Sequence, residues 1–158
     1  MIRALKKMLS SAPLGEAQAL HGQERHHLHL AVAVLLHEAR RADPDESHDE
    51  SDAAVQALVE MFRLERSDAV ALLEEGRARA QTLASFYAPV SVIKRELSVE
   101  ERIALVEHLW RVSLADGQLN VYEDHYVRKI AHLLYVPNVQ SMLARNRAKQ
   151  MHQAADSA

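Results

Sequence analysis

Residues 37–50 read HEARRADPDESHDE, and residues 110–123 read WRVSLADGQLNVYE. The two stretches carry one phrase. Ala42-Asp43 answers to Ala115-Asp116 and Glu50 answers to Glu123, each 73 residues further on. In both copies an apolar run of helical period ends in Ala-Asp, a short turn follows, and a Glu opens the next run. Such a doubled unit predicts two similar halves packed about a pseudo-twofold, with two acidic turns in equivalent places.

The flanking sequence extends this helical reading. A helix is predicted over 23–42, with Leu28, Ala31, Val32, Leu35, Leu36 and Ala39 spaced three and four apart. The stretch Ser10 to Gly15 reads as a turn-like linker before it, and Pro44 cannot continue it. Ser47 and Glu50 have the spacing of a capping box, opening a helix whose core face is Ala54, Leu58, Met61 and Phe62. A third helix is predicted over 67–80, with Val70, Leu72 and Leu73 inward. Pro89 is expected to break or kink whatever helix lies within 82–96.

Ser98 and Glu101 form a second capping box. The run from Ile103 through Leu105, Val106, Leu109, Trp110 and Val112 to Leu114 makes a mostly apolar helix, expected at the centre. Gly117 sits where a left-handed C-terminal cap belongs. Asn120 and Glu123 open the next helix, with Tyr126, Val127, Ile130, Leu133 and Leu134 inward. After the Val136-Pro137-Asn138 corner, Val139, Met142 and Leu143 continue in a last helix, and the tail from Ala148 is expected to fray. No segment sustains a period of two. The expected fold is therefore all-α: about seven helices in one domain over 1–158, with halves at about 21–81 and 98–151.

Composition sets the outer bounds. The chain has 158 residues, enough for one domain with a real core, and 48% of them are hydrophobic. Only four Gly and four Pro are present, few for a loop-rich or all-β protein. The net charge of −3 argues against a nucleic-acid binder, which would carry a basic stripe. No cysteine is present, so there is no disulfide, thiolate ligand or Cys nucleophile. Residues 1–12 fit an amphipathic helix, with Arg3, Lys6 and Lys7 among Ile2, Leu5, Met8 and Leu9; they lack the apolar core of a signal peptide. The longest wholly apolar run, Leu30 to Leu36, is too short for stable membrane insertion. A cytoplasmic location is expected.

The acidic turns are the chemistry-bearing feature. The first offers Asp43, Asp45, Glu46, Asp49 and Glu50, with Glu38 one turn back. The second offers Asp116, the Asn120 amide, Glu123, Asp124 and Glu107. Clustered hard oxygen donors suit calcium, magnesium or manganese. The Asp-to-Glu span is too short for an EF-hand, so a cation would have to be shared between Asp and Glu across the halves. The competing reading is structural: Glu50 and Glu123 at the third helical position cap free N–H groups, and Asp43 and Asp116 accept backbone bonds in the turns.

Ten histidines raise the question of zinc. His26, His27, His29 and His37 lie on one helix, but His37-Glu38-Ala39-Arg40-Arg41 lacks the second His of a zinc-protease motif. Zinc therefore ranks below the hard cations. His125 and His132 are expected at the surface. Arg145, Arg147 and Lys149 read as a solvated helix end.

Two blocks, AVAVLLHEARRAD at 31–43 and ERIALVEHLWRVSLADGQLNVYEDHYVRKIAHLLYVP at 101–137, resemble the TerB-like tellurite-resistance family, over nearly the whole chain. The resemblance implies an all-helical fold of two pseudo-symmetric halves and a link to tellurite and stress resistance. It also implies a metal ion on acidic residues, and no enzymatic activity. Carried over by motif, the metal candidates are Glu38, Asp43 and Glu50 in the first copy and Glu107, Asp116 and Glu123 in the second. The chain departs from the family pattern with Pro44 in place of Gly, and with Ser47 and Asn120 where acids are common. Fewer carboxylates imply a weaker cation site.

Three functions follow as expectations. The first is a non-enzymatic, stress-linked protein that holds a divalent cation and meets a protein partner. The second is a purely structural interaction module whose acids only cap helices, acting through its N-terminal helix or through an apolar groove near Phe86-Tyr87; a homodimer covering part of the Ile103–Leu114 face belongs with it. The third, a metal-dependent hydrolase, ranks last, because no phosphate loop or Ser/His/Asp motif is present.

Overall fold

The structure, a computed structural model, describes residues 14–41 and 48–157, with side chains described over 21–41 and 51–157. Among the described residues there are seven helices and no strand. They are α1 (Leu14–Arg41), α2 (His48–Phe62), α3 (Arg66–Ala80), α4 (Tyr87–Glu96), α5 (Val99–Leu114), α6 (Val121–Leu133) and α7 (Asn138–Asp156). The expected N-terminal helix over 1–12, Pro44 and the Ser47 cap lie outside the described residues.

Two helices share the centre. Every residue of α1 from Ala31 to His37 is buried, so this helix is enclosed on all sides. It packs against α3 and α4 most extensively and also touches α2, α5 and α6. The expected central helix, α5, holds the other half of the core: it packs on α7, α2, α1 and α6, and Leu105, Val106, Leu109, Trp110 and Val112 are fully buried. The core is one continuous cluster spanning both.

Several sequence expectations shift. The linker expected up to Gly15 is already helical from Leu14, and α1 starts nine residues before the expected 23. Residues 16–20, Glu-Ala-Gln-Ala-Leu, are strong helix formers, and their propensity extends the helix without an apolar periodicity. In α3 the inward stripe is Ala69, Leu72, Leu73 and Gly76, whereas Val70 is half exposed. Small residues set this phase: a Cβ on Gly76 would lie 2.9 Å from the Ala33 carbonyl carbon, so α3 rests directly on the α1 backbone. Pro89 does not break α4. It is the third residue of that helix, in the first turn, where no N–H is required for the intrahelical ladder.

The second half follows the sequence more closely. Ser98 Oγ accepts from Glu101 N at 3.2 Å and Glu101 Oε1 accepts from Ser98 N at 3.0 Å, completing the expected capping box. The last helix runs to Asp156 instead of fraying from Ala148. Its Ser141, Ala144 and Ala148 are buried against α5, and such small side chains carry almost no hydropathy signal. The basic stretch is not a bare helix end either. The Arg145 guanidinium lies 5.5 Å from the centre of the Trp110 ring, and Arg147 pairs with Glu107.

No helix among the described residues is long and apolar enough to cross a membrane.

Candidate acidic site

The second acidic turn is fully described, and its geometry follows from local chemistry. α5 ends at Leu114, whose carbonyl accepts from Gly117 N at 2.9 Å. Gly117 has φ +87°, the left-handed conformation that glycine adopts without Cβ strain. Asp116 Oδ1 accepts from Gln118 N at 3.0 Å, as expected of an Asp that closes an Asx turn. Asn120 then caps α6: its Oδ1 accepts from Glu123 N at 2.8 Å, while its Nδ2 donates to Glu123 Oε1 at 3.0 Å. The N-cap bond to the helix backbone is thus made by Asn120, not by the Glu123 carboxylate. Glu123 itself is fully buried, and a buried carboxylate demands compensation from polar or cationic neighbours.

Glu38 approaches from α1. Its side chain is 14% exposed, and Arg41 Nη1 lies 3.5 Å from its Oε1. The Tyr126 hydroxyl donates to the Leu35 carbonyl at 2.7 Å, pinning α6 to α1. Burial pushes the Tyr126 phenol well above its ordinary value, and the negative charge of Glu38 adds to the rise. Glu38 lies one turn along α1 from Leu35, and Glu123 one turn back along α6 from Tyr126. At the α1–α6 junction the acid that bears on Tyr126 is Glu38, from the first copy of the repeated phrase. Asp43 lies outside the described residues, as does the side chain of Glu50.

Glu107 sits in an ion-pair network. Its Oε2 accepts from Arg111 Nη2 at 3.0 Å, and its Oε1 accepts a short charge-assisted bond from Arg147 Nε. Arg111 Nη1 reaches Glu60 Oε2 at 3.2 Å, and that oxygen lies 3.8 Å from His108 Nε2. This network ties α2, α5 and α7 together. Burial lowers the His108 pKa, helped by Arg111 and opposed by Glu60 and Glu107. Only the Glu107–Arg111 pair, four residues apart on one helix, could be read from spacing. Glu60 and Arg147 enter from 51 and 40 residues away.

The histidines do not gather. His26 Nε2 lies 2.8 Å from Glu75 Oε1, His29 stacks on Phe62 with centroids 4.0 Å apart, and His37 is buried in α1. His125 and His132 are exposed, as expected. Among the described residues no three His, Asp or Glu side chains form a metal-ligating group. The donors around the second turn are carboxylates and an amide. In kind they fit a hard cation better than zinc.

This architecture defines an all-helical domain with acidic turns at its helix junctions. The chain belongs to the TerB family: the family model described as "Tellurite resistance protein TerB" matches residues 29–146, a span that takes in both turns. No curated protein and no solved structure matches the chain.

Proposed function

We infer that this protein is a non-enzymatic, cytoplasmic member of the tellurite- and stress-resistance machinery that binds a divalent cation on its acidic turns and engages a protein partner. The observation that carries the cation reading is the second acidic turn itself, where the fully buried Glu123 carboxylate lies against the Asn120 amide and Asp116 closes the turn beside it. Asp116 follows α5 just before the Asn120 cap, and Asp43 and Glu50 belong to the matching turn of the other half. Calcium, magnesium or manganese suits these oxygen donors. Glu107 contributes to the ion-pair network, where two guanidinium groups hold its charge.

Thermal melts of chelator-treated full-length chain, with and without calcium, magnesium, manganese or zinc, test this. A cation at about a hundred times its Kd adds about 2.7 kcal/mol, or about 5–10 °C in a domain of this size. Asp116→Asn with Glu123→Gln should abolish the shift while keeping the Asn120 bonds. If no ion moves the melt, the cation reading fails. The Asn120–Glu123 bonds favour one alternative, in which the acids only stabilise helix starts, and that result would select it.

A further inference from the structure

Away from the acidic turns, α4 and the C-terminal end of α6 enclose an open groove of roughly 430 Å³. Phe86, Val90 and Leu133 line its apolar floor. Tyr87 and Tyr135 stand at its rim, 77% and 73% exposed. Lys94 and Lys129 supply its charge, His132 adds an imidazole, and no carboxylate lines it. Among the described residues none of these three basic groups has a carboxylate partner.

Tyr135 is the telling residue. It sits at φ +56°, directly after the α6 C-cap. Tyr135 N donates to the His132 carbonyl at 3.1 Å and Val136 N to the Ala131 carbonyl at 2.9 Å. That is a Schellman ending, whose left-handed position is ordinarily filled by glycine. Here the strained position carries a large ring, and that ring lies 4.4 Å from the Lys94 ammonium. Arg102 Nη1 donates to the Leu134 carbonyl at 2.6 Å, so the negative end of α6 is partly neutralised. A strained residue held at a surface rim marks a site where the side chain serves more than folding.

We propose that the α4–α6 groove docks an acidic peptide segment of a protein partner, its carboxylates meeting Lys94, Lys129 and His132 and an apolar side chain settling between Tyr87 and Tyr135. Charge complementarity carries the assignment: this is a basic, carboxylate-free groove on a chain of net charge −3. Exposed tyrosines offer rigid, amphipathic contact area at low entropic cost. Lys129 and His132 are three apart on α6 and face Lys94 across the groove, which suits carboxylates strung along a chain. A single-stranded nucleic acid fits less well, because its uniform charge density meets only two lysines here and an overall negative protein. The inference stands independently of the cation reading.

Fluorescence anisotropy with full-length chain tests it, using a short labelled peptide of alternating acidic residues and leucine or phenylalanine. A lysine-for-acid version and an oligothymidylate of matching length serve as comparisons. The acidic peptide should bind, more weakly at high salt, and the lysine version should not. Lys94→Glu with Lys129→Glu should weaken binding by about tenfold or more. Tyr135→Gly relieves the left-handed strain and so keeps the fold, yet should weaken binding by about threefold or more. The proposal is overturned if the acidic peptide does not bind, if both peptides bind alike, if oligothymidylate binds more tightly, or if circular dichroism shows folded variants that bind like wild type.

Discussion

Gly76→Ala probes the close approach of α3 to the α1 backbone. On an exposed helix this substitution stabilises by about 0.5–1 kcal/mol, because alanine has less backbone entropy to lose. At Gly76 the new methyl group would sit 2.9 Å from both the carbonyl carbon and the Cβ of Ala33, and 3.1 Å from its oxygen. Non-bonded carbon atoms prefer about 3.5–4.0 Å, so α3 must move off α1 by about half an ångström or more. Ala33 is fully buried and its carbonyl belongs to the α1 ladder, so neither atom can swing aside. Overpacking of this kind costs about 1–3 kcal/mol. Set against the propensity gain, the net change is up to about 2.5 kcal/mol of destabilisation, or up to about 10 °C in Tm. Gly22→Ala is the internal control: it lies exposed on α1 with nothing within 4 Å of its would-be Cβ, and should stabilise by about 0.5–1 kcal/mol. Urea titration of both variants decides the matter through the midpoint at constant slope. A Gly76→Ala protein as stable as Gly22→Ala would refute the direct seating of α3 on the α1 backbone.

Two further predictions concern buried polar groups. Tyr126→Phe removes the hydroxyl that joins α6 to α1 and should lower stability by about 1 kcal/mol; an unchanged urea midpoint would mean that the bond to Leu35 does not form in solution. His108 is held below the ordinary histidine value of 6.5 by burial, so the folded state favours its neutral ring. Its contribution is fully present above pH 6.5 and is lost as pH falls through the lowered folded-state value. Wild type should therefore lose stability on acidification below pH 6.5, down to the lowered folded-state value. His108→Gln should do so less steeply, with the lowered pKa of His29 leaving a residual slope in the same direction; equal slopes for the two proteins would count against the buried, neutral His108.

The all-helical class, the Ser98–Glu101 box, the left-handed Gly117 and the Asn120 start were all legible in the sequence. Each depends on residues within one turn of one another, and such contacts are encoded by spacing alone. The corrections have a common origin in tertiary packing. Val70 was expected inward on hydrophobicity, but Ala69 and Gly76 let α3 approach α1 and so fix which face turns in. The tail from Ala148 loses its apolar periodicity in sequence, yet the helix continues to Asp156, because Ser141, Ala144 and Ala148 anchor its earlier turns and the alanines beyond favour a helix without burial.

For the candidate site the division is the same. Sequence alone determined that acids recur after two helices at a fixed offset, because the repeat is written in residue order. It also determined the family, because the matched motifs span both turns. Only the tertiary structure decided what each acid faces. Glu38 of α1 bears on Tyr126 of α6 because the two helices pack together, whereas Glu107 faces α7 and pairs with Arg147. The docking groove, too, exists only once α4 lies beside the end of α6. An apolar groove near Phe86-Tyr87 is expected from sequence, but that Tyr87 and Lys94 of α4 face Lys129 and Tyr135 at the end of α6 is decided by packing alone.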